Sequence, residues 1–258
     1  MIICHSKKFV FVHNPKAGGT SINASLRKFH EDEFPMYGFT TKDGHVINCQ
    51  HVRFLELRRY FPEKFDQIKN YAWFGLFRDP VSRFISSVQN FEKSYGATEP
   101  MFLSNDDIVK LVLRYADKLD RSFCEKLEYI MFWPQSGFLT FPDTAVTTKI
   151  FQLEKPAEFV AWISGLTGES FHLRNSNQTF YVPTPAFLQD ILTVKAKQRI
   201  RKILPTPALG ALLSLLQVAQ RRRISGPNFG PLIADKIREF YVEDFALQRR
   251  LEAEADPR

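Results

Sequence analysis

A chain that runs Phe9-Val-Phe-Val-His13-Asn-Pro15-Lys16-Ala-Gly18-Gly19-Thr20-Ser21 has few folds open to it. Residues 9–12 are apolar and β-prone, Asn14-Pro15 stops the run, two glycines follow, and helical spacing begins at Thr20 with Ile22, Leu26 and Phe29 on one face. A strand enters a tight loop and leaves as a helix. That geometry gathers backbone N–H groups and the positive end of a helix dipole at one spot, where glycine lets a ligand approach closely and Lys16 adds a full charge. Phosphate or sulfate is the expected occupant; the alternative is a plain glycine turn carrying a solvated lysine.

The spacing does not fit an ATP or GTP loop of the form G-x-x-x-x-G-K-[ST]: with Gly19 at the second glycine, Asn14 stands at the first and Thr20 at the lysine. Lysine has moved upstream, and Pro15-Lys16-Ala17-Gly18-Gly19-Thr20-Ser21 resembles the 5′-phosphosulfate loop of sulfotransferases that use 3′-phosphoadenosine 5′-phosphosulfate (PAPS). A second stretch, Arg78-Asp-Pro-Val-Ser-Arg83-Phe-Ile-Ser86, is similar to that family's other signature. The resemblance implies that Arg78 and Ser86 hold the 3′-phosphate of the nucleotide, with guanidinium forks on phosphate oxygens. The residues alone leave a structural Arg78–Asp79 ion pair open, and Arg83 reads as structural or as a weaker phosphate contact. His51-Val-Arg-Phe-Leu is similar to a segment of uronyl 2-O-sulfotransferases in which the histidine is the general base, so His51 takes that role here, with His45 in reserve. Cys49 and Gln50 stand where those enzymes carry His-Gly.

Tyr71-Ala-Trp-Phe-Gly-Leu-Phe77 is apolar throughout, the mark of a strand buried on both faces, and Asp79-Pro80 match a helix N-cap and first-turn proline. Arg78 therefore stands at the carboxyl end of a buried strand, where open parallel sheets bind ligands. Amphipathic helices are expected between Asn105 and Trp133, a strand over 138–142 and 146–154, a helix from Phe159 to Gly165 or Gly168, and helices again over about 187–250. Tyr241-x-x-Asp244-Phe resembles a helix that ends many family members, and 172–180 reads as a polar loop. The fold expected is α/β, a parallel sheet flanked by helices in a P-loop nucleotide-kinase-like sulfotransferase fold, as one domain over 1–258 with a disordered tail at 251–258.

Three cysteines without metal-ligand spacing argue against a zinc site or a disulfide framework, and with no signal-peptide h-region or span of membrane length the expectation is a cytoplasmic protein. A net charge of +7 fits an anionic ligand as well as an ordinary surface, and no nucleic-acid partner is expected. The reading is PAPS-dependent sulfuryl transfer, without metal, to a hydroxyl of a glycan or glycolipid. Rivals are an ATP-type nucleotide kinase and a non-catalytic protein that binds 3′-phosphoadenosine 5′-phosphate (PAP) or sulfated glycan. The apolar stretch 204–218 between basic clusters is expected to pack on the core, across a homodimer, or against an anionic membrane surface.

Overall fold

The computed structural model describes residues 1–35, 38–96, 103–124, 126–142, 144–172, 180–181, 220–221 and 229–255. In chain order the elements are β1 (Ile2–Cys4), β2 (Phe9–Val12), α1 (Gly19–Leu26), β3 (Gly38–Thr40), β4 (Val46–Asn48), α2 (Phe54–Tyr60), α3 (Pro62–Ile68) and β5 (Ala72–Phe77). Then come α4 (Pro80–Tyr95), α5 (Asn105–Ala116), α6 (Ser136–Leu139), β6 (Thr148–Gln152), α7 (Pro156–Thr167), β7 (Phe180–Tyr181), β8 (Gln220–Arg221), α8 (Phe229–Ile237) and α9 (Val242–Ala255). They form two compact units, one of Met1–Arg83, Asp120–Ser176 and Arg238–Arg258, the other of Phe84–Leu119 and Asn177–Ile237.

The first unit is built on a four-stranded sheet in the order β1-β2-β5-β6. β2, β5 and β6 run parallel, with Phe11 opposite Phe74 and Gly75 opposite Ile150, while β1 pairs antiparallel with β2 at the edge. Side chains alternate between two cores, as the period of two in a strand requires. Phe9, Phe11, Phe74 and Leu76 pack with Ile22 and Leu26 of α1 and Phe159 and Ile163 of α7. On the opposite face Val10, Val12, Trp73 and Phe77 meet Leu57, Phe65, Ile68, Phe138 and Leu251. Helices cover both faces, which is why β5 reads as an unbroken apolar run.

The second unit contains most of α4, with α5, α8 and the short antiparallel pair β7–β8. α5 starts at Ser104, whose hydroxyl accepts from Asp107 N, buries Ile108, Leu111 and Val112, and packs on α8, where Lys236 pairs with Asp117.

Three expectations change. After Ala116 the chain does not continue as α-helix but makes 3₁₀ turns at Arg121–Cys124 and Leu127–Phe132. Asp120 nucleates the first by accepting from Ser122 N and Oγ, and Pro134 ends the second by holding Trp133 extended. Ser136–Leu139 is helical where a strand was expected, because Asp244 accepts from Gln135 N and Ser136 N at its start, both at 2.9 Å. Residues 251–255, expected within a disordered tail, continue α9. The 204–218 segment and most of the 172–180 loop lie outside the described residues.

Candidate active site

The parallel strands β2, β5 and β6 end at Val12, Phe77 and Gln152, so the chain leaves all three on the same edge of the sheet. The first loop carries Lys16 at φ 62° and Gly18 at φ 74°; left-handed backbone is tolerable for Gly18 but costs about 1–2 kcal/mol at a lysine. α1 begins at Gly19 with no side-chain cap among the described residues. Ala17 faces the core beside Ile22, Thr20 is exposed, and Pro15 is buried.

Gly19 needs no unusual φ; the reason for glycine is the ring of His13. A Cβ at position 19 would lie 2.0 Å from His13 Cδ2 and 2.1 Å from Nε2. We expect Gly19→Ala to lower stability by about 1–3 kcal/mol, as overpacking does, and to displace either the loop or the imidazole. Chemical denaturation checks it: an unchanged midpoint would mean that the ring moves freely.

Arg78 follows β5 directly, and its Nη1 donates to the Lys16 carbonyl at 3.2 Å, so the two sharp sequence motifs meet. Asp79 caps α4 by accepting from Ser82 N at 2.7 Å, the N-cap role expected of it. Arg83 is 1% exposed, with Nε donating to Pro15 O at 3.0 Å and Nη2 to Trp133 O at 2.7 Å. Of the two readings open for Arg83 the structural one holds, since its guanidinium braces the loop from behind. Ser86 lies further along α4, half-buried, within the second unit.

Two histidines were in view along the sequence, and their surroundings differ. His45 is exposed on the turn between β3 and β4, stacked on Tyr60. His51 instead follows Asn48, whose side chain accepts from Gln50 N and His51 N, and its Nδ1 lies 2.8 Å from His13 O. A carbonyl only accepts, so Nδ1 carries the proton and Nε2 keeps its lone pair. Burial, reinforced by the charges of Arg83 and Lys16, pushes His51 down to about 4, so it is neutral at pH 7. A neutral imidazole with Nδ1–H bonded to main chain has the protonation state of a general base.

His13, not singled out from the sequence, packs against His51 with ring centroids 4.3 Å apart. Its Nδ1 accepts from Asn23 Nδ2 at 3.2 Å and Gln50 Nε2 at 3.3 Å, which puts its proton on Nε2, the side against Gly19. Burial first, then the neighbouring His51, holds His13 well below the usual histidine range. Gln50, which departs from the uronyl-enzyme pattern, is thus an orienting group, while Cys49 is buried core. Asn14 and Gln135 were missed as well. Their only local signals were an asparagine inside the loop motif and a lone glutamine after Trp133-Pro134.

A strand-loop-helix turn, an arginine bonded to its Lys16 carbonyl and a neutral histidine bonded to His13 O thus lie together at the carboxyl ends of the parallel strands. The family model described as the sulfotransferase family matches residues 1–160, more than half of the chain. The chain belongs to the sulfotransferase family. No curated protein and no solved structure matches it. Among the described residues there is no cluster of metal-ligating side chains and no helix long and apolar enough to cross a membrane.

Proposed function

We propose that the protein moves the sulfuryl group of PAPS to a hydroxyl of a carbohydrate or glycoconjugate, in the manner of uronyl 2-O-sulfotransferases, on a P-loop nucleotide-kinase-like sheet. The observation that carries this reading is the bond from His51 Nδ1 to His13 O, because it fastens the candidate base to the strand end that opens the anion loop. The loop suits a phosphosulfate: α1 starts with no side-chain cap among the described residues, and Arg78 reaches the Lys16 carbonyl. Bound there, PAPS supplies a sulfuryl group on a leaving group that is a stable phosphate anion.

Each residue then has one task. His51 Nε2 takes the proton of the acceptor hydroxyl as that oxygen bonds to sulfur and the bond from sulfur to the 5′-phosphate oxygen breaks. Lys16 and the first N–H groups of α1 hold the charge left on the phosphate, and the main chain of 15–21 orients it. Arg78 grips the 3′-phosphate; for Ser86 the same role rests on the sequence resemblance alone. Free thiols at the buried Cys4 and Cys49 support a reducing, cytoplasmic setting. A glycan or glycolipid acceptor, a homodimer and peripheral membrane contact through 204–218 belong to the same proposal.

PAP should raise the melting temperature, since a ligand at a hundred times its Kd adds about 2.7 kcal/mol to the folded state. Arg78→Ala should abolish most of that shift through loss of a charge-assisted fork. Equal stabilisation by ATP and PAP, unaffected by Arg78→Ala, would overturn the donor assignment.

A further inference from the structure

The two anion-binding stretches come from separate strands, and one side chain outside both motifs joins them. Gln135 is fully buried. Its Oε1 accepts from Asn14 Nδ2 at 2.8 Å and from Arg78 N at 3.0 Å, and its Nε2 donates to Arg78 O at 2.8 Å. Asn14 Nδ2 also donates to Leu76 O, at 2.9 Å, the carbonyl two residues before Arg78. The loop of 13–18 and the turn at 78–79 are therefore tied through Gln135 as well as through the Arg78–Lys16 contact.

Gln135 is itself held from the far end of the chain. Asp244, fully buried on α9, accepts from Gln135 N and Ser136 N, and Tyr241 Oη donates to Phe132 O at 2.6 Å. Arg83 adds its bond to Trp133 O. A segment grasped at Phe132, Trp133, Gln135 and Ser136 has little freedom, so Gln135 presents its amide in one orientation. Tyr241 and Asp244 lie beyond residue 160, outside the stretch that matches the family model.

We propose that Gln135 is a positioning residue for the donor site, setting the separation of the Lys16 loop and Arg78, and that Asp244 acts on the donor through it. It touches no reacting atom. Its amide supplies an acceptor to each stretch and a donor to one, a combination no carboxylate or apolar side chain of its size reproduces. Without it, the part-buried Arg78 N and O lose the partners that Gln135 gives them, and Asn14 keeps one of the two bonds of its Nδ2; groups so stranded recover partners by moving. Movement there changes the spacing between the charges meant for the two ends of the nucleotide.

The donor arm of this proposal rests on the PAPS reading, so the test includes an arm that does not. Hydrogen exchange in the ligand-free protein, followed by mass spectrometry, should show faster exchange in Gln135→Leu at 14–20 and 78–80, with amides of β5 and α7 unchanged. Calorimetry should show PAP bound at least about tenfold more weakly, the usual cost of a buried hydrogen bond left unmade. Gln135→Glu keeps both acceptor contacts but sets a carboxylate oxygen against Arg78 O where the donor stood, so it should loosen 78–80 while leaving 14–20 closer to wild type than Gln135→Leu does. It also serves if Gln135→Leu fails to fold. Asp244→Asn should loosen the same two stretches, and its effect on PAP should not add to that of Gln135→Leu. Unchanged exchange at 14–20 and 78–80, or a rise spread evenly over the sheet, would overturn the proposal. Wild-type protein that ignores PAP would count against the donor reading alone, because exchange still decides whether Gln135 joins the two stretches.

Discussion

On the proposed function, replacing His51 by alanine should lower turnover on the acceptor by about 10²–10⁴-fold, the range for a positioned general base, and should leave PAP binding in place. The expectation follows from the fixed tautomer: with Nδ1–H on His13 O, Nε2 is the only nitrogen of the ring able to take a proton. Because burial pushes His51 down to about 4, the acid limb of kcat/KM should fall well below the ordinary histidine value of about 6.5. The same shift bears on stability. Between about pH 6.5 and 4 the unfolded chain binds a proton at this position that the folded chain does not, so stability is complete above that window and declines as pH falls through it. A pH series of turnover and unfolding on wild type and His51→Ala checks both. Full activity in the variant would move the search to His45, which is exposed beside Tyr60.

Arg83→Met costs about 3–5 kcal/mol of stability, the cost of removing one partner from a buried charged network. The guanidinium is 1% exposed and bonds to the carbonyls of Pro15 and Trp133, and its charge opposes the effect of burial, which raises the pKa of Asp244. Methionine fills similar volume but leaves both carbonyls without that donor and strips the buried Asp244 of a nearby positive charge. Denaturant unfolding should show the loss, and raising the pH should worsen it as Asp244 is forced to ionise. A loss under 1 kcal/mol would mean that water replaces the guanidinium, and would return Arg83 to the phosphate-contact reading.

What the chain displays along its length is whatever neighbours in sequence can impose on one another. The alternation of residues 9–12, the stop at Asn14-Pro15 and the glycines before α1 specify strand, loop and helix through local sterics and side-chain period. The apolar run to Phe77 and the Asp79-Pro80 cap placed Arg78 at a strand end for the same reason. Lys16 and Arg78 were thus legible as candidates before any contact between them was known, and His51 became one through its resemblance to a segment of uronyl 2-O-sulfotransferases. Their meeting was not, since parallel strands are joined by long crossovers and nothing local to Phe9 or Ala72 states that these residues pair.

Tertiary structure alone decided the rest. Gln135 stands 121 residues from Asn14, and a glutamine after Trp133-Pro134 has no signature until both loops lie against it. Local pattern favoured a strand at 138–142, yet Ser136–Leu139 is helical because a carboxylate from α9 satisfies the N–H groups at its start. His13 passed as one more residue of a strand end until its ring occupied the space that Gly19 leaves empty. For Gln135 and for Ser136–Leu139 the determining partner is a buried polar group distant in sequence. Such groups must be paired once water is excluded, and only the folded chain settles which groups pair.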